Sequence, residues 1–88
     1  MKITHIEWNE NTIWHIAKHG VDPREVEEVC FEGKPFILKS RDYRYFALGQ
    51  TESGRYLTII FEYRGTNSAK IITARAMSKA EQKFYKRR

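Results

Sequence analysis

The sequence predicts one α+β domain of two layers, a mainly antiparallel sheet with two helices packed on one face. Three observations carry this prediction. The first third of the chain holds two segments with helical spacing and complete cap signals. After Pro35 the apolar period drops to two, in runs joined by connections so short that neighbouring runs must lie antiparallel. At 88 residues the chain has material for a single core, so residues 1–88 are one domain.

In chain order, residues 3–8 (I-T-H-I-E-W) alternate in part and read as an edge strand. Asn9 can cap a helix over residues 10–19, and Gly20 suits the left-handed position that closes it. The run Asp22-Pro23-Arg24-Glu25 opens a second helix. Asp22 caps it, Pro23 sits where its missing N–H costs nothing, and Glu25 completes a capping box. Val26, Val29 and Cys30 form its inner stripe, Glu27, Glu28 and Glu32 lie outside, and Gly33 ends it. Residues 36–38, 43–50, 55–64 and 70–75 then read as four strands, with turns at 41–42, 51–54 and 65–68. Ser78-Lys79-Ala80-Glu81 is another capping box, and it opens a helix running into the basic tail 86–88. The order is β-α-α-β-β-β-β-α.

Side-chain alternation assigns faces. In residues 55–64 the odd positions Leu57, Ile59, Phe61 and Tyr63 are apolar or aromatic, whereas the even ones are mixed. If the odd face meets the helices and pairs with Ile72 and Ala74, then Arg64, Ile71, Thr73 and Arg75 share the other face. The two arginines then lie near opposite ends of the hairpin, about 15–20 Å apart at roughly 3.3 Å per residue. That is too far to clamp one phosphate.

Charge is unevenly divided. Residues 1–33 contain three Lys/Arg and seven Asp/Glu, a balance of −4, and residues 34–88 contain thirteen and four, a balance of +9. Such asymmetry focuses a positive field on one part of the fold and suits a polyanionic partner; it equally describes a solvated, lysine-rich surface. No apolar run reaches membrane-spanning length, no signal-peptide pattern opens the chain, and the single cysteine forms no internal disulfide, so a cytoplasmic protein is expected.

The chemistry available is that of Arg, Lys, His and Tyr around a sheet. Arg44, Arg64 and Arg75 come from strands, Lys18 and His19 from the end of the first helix, and Lys83 and Tyr85 from the last. Guanidinium forks hold phosphate oxygens and stabilise charge developing on them. A histidine or lysine can move a proton as a ribose 2′-OH attacks the neighbouring phosphate. Tyr45 and Tyr56 offer faces for stacking bases. This kit suffices for metal-free RNA cleavage, and it also suits a non-catalytic module that binds nucleic acid or a protein partner. A metal-dependent enzyme using His15 and His19, spaced i, i+4, is a third reading, although H-I-A-K-H lacks the glutamate of H-E-x-x-H and no ligand set is complete. No cofactor motif is recognisable.

Several stretches together resemble the BrnT family. They are I-E-W near the start, K-H-G-V at 18–21, Y-R-Y-F-A-L-G at 43–49, L-T-I-I-F-E-Y-R-G at 57–65 and I-I-T-A-R-A-M-S-K-A-E-Q-K-F-Y at 71–85. Many relatives begin F-x-W-D where this chain has Ile6-Glu7-Trp8-Asn9; Asn9 still caps. The resemblance implies a RelE-like fold and a toxin of a bacterial type II toxin–antitoxin pair, acting as an endoribonuclease that arrests growth. It further implies a BrnA-type antitoxin with a ribbon–helix–helix DNA-binding part, and operator DNA bound only through the complex. Carried onto this chain, the motif residues are Lys18, His19, Arg64, Arg75, Glu81 and Tyr85.

Overall fold

The computed structural model describes Met1 to Arg88 in full. Its elements are β1 (His5–Glu7), α1 (Glu10–Ala17), α2 (Pro23–Glu27), β2 (Phe36–Lys39), β3 (Arg44–Gln50), β4 (Tyr56–Gly65), β5 (Ser68–Ala76) and α3 (Lys79–Arg87). This is the order expected. The sheet runs β1-β5-β4-β3-β2, antiparallel except where β1 pairs parallel with β5.

The local signals act as their chemistry requires. Asn9 accepts the Thr12 N–H at 2.8 Å, and Asp22 with Glu25 forms a reciprocal capping box. Beyond α2 the helix widens into a π turn, Glu28–Glu32, closed by a 2.8 Å bond from Gly33 N–H to the Glu28 carbonyl. Glycine is needed there for space. A Cβ at position 33 would lie 2.9 Å from the Gln50 carbonyl oxygen and 3.0 Å from that of Val29. Glu27 and Glu28 are less free than the sequence suggests, because Glu27 accepts from the Trp8 indole and Glu28 from the Glu52 N–H.

The main core lies between the α1/α2 layer and one face of the sheet. Ile16, Val26 and Val29 meet Ala47, Leu57, Ile59, Phe61, Ile71 and Ala74, all essentially inaccessible to water. Each large side chain so buried contributes about 1.5–3 kcal/mol before chain entropy is counted. Ile71 corrects the expected register. Ile59 faces Ala74, but Phe61 faces Ile71, so β5 carries one extra residue, Ile72, as a bulge. One inserted residue exchanges the faces of everything beyond it, which puts Ile71 into the core and Ile72 outside the ladder.

The hairpin also turns more tightly than read. Strands β4 and β5 run up to Thr66 and Asn67, both at positive φ (49° and 61°), the conformation of a two-residue type I′ turn. The chain reaches this turn at Thr4, where the Thr4 and His5 N–H groups donate to the Asn67 carbonyl. That contact delivers β1 alongside β5.

α3 takes the opposite face of the sheet. Phe84 packs on Phe36, and Ala80 and Phe84 overlie Leu38, Phe46 and Leu48. No α3 residue is buried, so this helix covers its face lightly.

Candidate active site

The face beneath α3 carries both arginines, and its chemistry is concentrated where α3 begins. Arg75 stands opposite Thr58 near the end of β5. After Met77 the chain turns and Ser78 caps α3, which returns the N3 residue, Glu81, directly onto Arg75. Arg75 Nη1 donates to Glu81 Oε1 at 2.7 Å and Nη2 to Oε2 at 2.8 Å, an end-on, two-pronged pair. Glu81 Oε1 also accepts from the Thr58 hydroxyl at 2.9 Å and from the Ser78 N–H at 2.9 Å. Four donors therefore converge on one carboxylate.

The electrostatic consequences follow. Hydrogen bonding from Arg75, with help from Ser78 and Thr58, overcomes partial desolvation and holds the Glu81 carboxyl at about 2 against a usual 4.5. The Arg75 guanidinium is raised above its usual value, first by the Glu81 hydrogen bonds. Glu81 is thus an anion at any physiological pH and orients the arginine. Nη1 also donates to the Ala76 carbonyl at 3.3 Å, which leaves the Nε–H and one Nη2–H of Arg75 without a partner. These two donors form the side-on edge of the fork, suited to a second oxyanion.

An aromatic and cationic patch adjoins the pair. Tyr85, one turn beyond Glu81, meets Tyr56 edge-to-face at 6.0 Å. Lys86 Nζ sits 4.9 Å over the Tyr56 ring, and the Arg88 guanidinium 4.2 Å over that of Tyr85. Lys83 lies on the outer side of α3 with Lys79 and Lys86 around a shallow depression.

The remaining sequence-derived residues are dispersed. Arg64 is on the same face as Arg75 but at the far end of β4, where Nη1 donates to Glu62 at 2.8 Å and Nε approaches Glu7 at 3.6 Å. Arg44 lies across from Glu62, which faces Lys70, which in turn faces Glu7, so a row of alternating charge crosses four strands there. Tyr45 is separated from all of these. Strand alternation turns it to the helix-covered face, where it stacks on Phe61 at 5.6 Å. Lys18 and His19 are exposed at the end of α1. Arg55 fixes that end, with Nη1 donating to the Gly20 carbonyl at 2.9 Å and to Glu25. Because Arg55 immediately precedes β4, the Lys18–His19 corner sits at the same end of the sheet as Arg75, on the other layer. His15 and His19 touch edge-to-face at 5.2 Å, and no group of three His, Cys, Asp or Glu side chains comes together.

One contributor escaped the sequence reading, and a second was reached only through the family resemblance. Thr58 had a signal, as a lone hydroxyl in an apolar strand, and it is fully buried under α3. Glu81 has a complete local explanation as a capping residue, which hides its grip on Arg75.

A five-stranded, mainly antiparallel sheet with paired helices before it and a basic helix after it, closing over an arginine fork, makes the chain a small α+β domain. The model of the family described as the BrnT ribonuclease toxin of type II toxin–antitoxin systems matches residues 8–81, and the chain belongs to that family. It is therefore a ribonuclease toxin, with RNA as substrate and an antitoxin as partner. The crystal structure of the Brucella abortus ribonuclease toxin BrnT is similar in fold, with a TM-score of 0.68 and 24% identity over 86% of this chain and 100% of that one. No curated protein sequence matches the chain.

Proposed function

We propose that the chain cleaves RNA internally without a metal ion, by attack of a ribose 2′-OH on the adjacent phosphate, and that Arg75 is the charge-stabilising group. O2′ bonds to phosphorus, the P–O5′ bond breaks, and the products are a 2′,3′-cyclic phosphate and a 5′-OH. The 2′-OH proton goes to a base, and O5′ takes one from an acid. Arg75 offers its free side-on edge to the phosphate while Glu81 holds the opposite edge, so the guanidinium needs no reorganisation as charge builds. The observation that carries this reading is the two-pronged Arg75–Glu81 pair with two donors left over.

Tyr56 and Tyr85 provide aromatic surface for a flanking base, with Lys83, Lys86 and Arg44 drawing the phosphate backbone. His19 and Lys18 are the proton-transfer and positioning groups at that end of the sheet; Glu81, with its carboxyl held at about 2, is a poor base at neutral pH. Arg64 binds RNA at the far end of the face. In the cell this activity arrests growth in the cytoplasm, and a ribbon–helix–helix antitoxin of the BrnA type neutralises it and carries the complex to operator DNA.

The test is cleavage of a single-stranded RNA in EDTA, with end-group analysis. Cyclic phosphate ends are expected, and Arg75→Ala should slow cleavage about 10²–10³-fold while the protein stays folded. Loss of activity in EDTA, or a folded Arg75→Ala variant cleaving at the parental rate, would refute the mechanism.

A further inference from the structure

The outer edge of β2 is built to receive another strand. β2 is the last strand of the sheet and pairs only with β3. Its bonding parity is fixed from both sides. The Ser40 N–H donates to the Arg44 carbonyl at 2.9 Å, so Ser40, and by alternation Leu38 and Phe36, direct their backbone groups to β3. On the other side of β3 the Thr51 N–H donates to the Arg55 carbonyl at 2.9 Å, which gives the complementary parity, with Tyr45 and Ala47 bonding β4. Ile37 and Lys39 are left with their N–H and C=O groups directed outward, and no backbone or side-chain partner meets them.

An unpaired edge alone is common. This one is flanked by an apolar depression on each face. On the α1/α2 side a cavity of about 250 Å³ is bounded by Ile37, Pro35, Cys30, Phe31 and Met1. On the α3 side one of about 240 Å³ is bounded by Leu38, Phe46, Leu48, Ala80 and Phe84. Phe31 and Phe84 remain 42% and 45% exposed at their rims. Successive residues of an added strand point to opposite faces, so consecutive apolar side chains on such a strand fill both depressions at once.

Charge selects the partner. Lys2 and Lys34 border the first cavity, Lys39 is on the strand itself, and the Arg88 guanidinium lies 5.6 Å over the Phe36 ring. The acidic group at the second cavity, Glu81, is already neutralised by Arg75. A second copy of this chain would bring Lys34 and Lys39 against their counterparts and a net charge of +5 against +5. We propose that β2 is a docking edge for an extended acidic segment of a partner protein, two or three consecutive apolar residues flanked by Asp or Glu, added to the sheet as a sixth strand. This inference stands apart from the ribonuclease mechanism.

The probe is a capped peptide with three central Leu/Val residues flanked by glutamates, compared with one in which lysines replace the glutamates. Amide exchange is followed by NMR in the parental protein. With the acidic peptide about 100-fold above its Kd, the Ile37 and Lys39 amides should slow about 100-fold, while those of Phe36 and Leu38 are slow already. Lys39→Pro removes an outward N–H without touching a β2–β3 bond, and Lys39→Ala removes only the charge. The proline variant should bind at least about fivefold more weakly than the alanine variant. If the proline variant does not fold, the exchange pattern of the parental protein decides alone. The proposal is overturned by no binding up to about 1 mM, by binding that leaves Ile37 and Lys39 unprotected, or by equal binding of the lysine peptide. Concentration-dependent protection of the same amides without peptide would assign the edge to a second copy and overturn it as well.

Discussion

Replacing Glu81 with alanine tests how the site is held together. The substitution removes an acceptor from four donors at once: two on Arg75, the Thr58 hydroxyl and the Ser78 N–H. The terms differ in size. Thr58 is fully buried, and stranding its hydroxyl costs about 1–3 kcal/mol. Losing the reciprocal half of the capping box costs about 0.5–1 kcal/mol. The ion pair, with Arg75 side-chain exposure at 36% and that of Glu81 at 21%, adds no more than about 1 kcal/mol. Together, Glu81→Ala should destabilise the domain by about 2–4 kcal/mol, or roughly 10–20 °C in Tm for a chain of this size. Glu81→Gln keeps an oxygen for Thr58 and Ser78 and should cost about 1 kcal/mol. Urea unfolding of both variants, alone and combined with Thr58→Val, separates the terms. Thr58→Val should destabilise the parental protein yet be neutral or restoring beside Glu81→Ala, because it then removes an orphaned hydroxyl. A cost for Glu81→Ala below about 0.5 kcal/mol, or a Thr58→Val effect of equal size in both backgrounds, would refute this account of the site.

Other consequences are as specific. Because the folded Glu81 carboxyl is held at about 2 and the unfolded one titrates near 4.5, its stabilisation is complete above about pH 5 and is lost as pH falls from 4.5 towards 2. The shift corresponds to about 3 kcal/mol, and solvent screening reduces the expected effect to about 1–2 kcal/mol; in acid titrations followed by circular dichroism, Glu81→Gln should flatten that part of the curve. Cys30 is buried, and burial, reinforced by the negative charge of Glu27, pushes its thiol up to about 12. It should resist alkylation in the folded protein and react fully in urea; rapid labelling without denaturant would contradict its placement. Gly33→Ala forces a methyl to within 2.9 Å of the Gln50 carbonyl and should cost about 1–3 kcal/mol in denaturant melts, whereas a neutral effect would mean the π turn yields easily.

What the sequence by itself determined is what depends on neighbours in the chain. Asn9, the Asp22–Glu25 box and the Ser78–Glu81 box each announce a helix start, because a cap satisfies its donors within three residues. The period-two runs announce the strands, and the charge count puts the basic residues in the strand-forming half of the chain. The stretches that resemble the BrnT family are likewise local strings, and they led to the family directly. The tertiary structure decided what depends on register and on which element lies over which. The bulge at Ile72 exchanges Ile71 with Ile72, and the parallel docking of β1 depends on the Asn67 carbonyl. The arginine at position 75 was visible in the sequence from the start. That it is half of a fork, with Glu81 filling one edge and the other open, depends on the first turn of α3 folding back onto Arg75 and Thr58. The Ser78 cap starts that turn locally, and packing of Ala80 and Phe84 on Phe36, Leu38, Phe46 and Leu48, distant in sequence, holds the helix there.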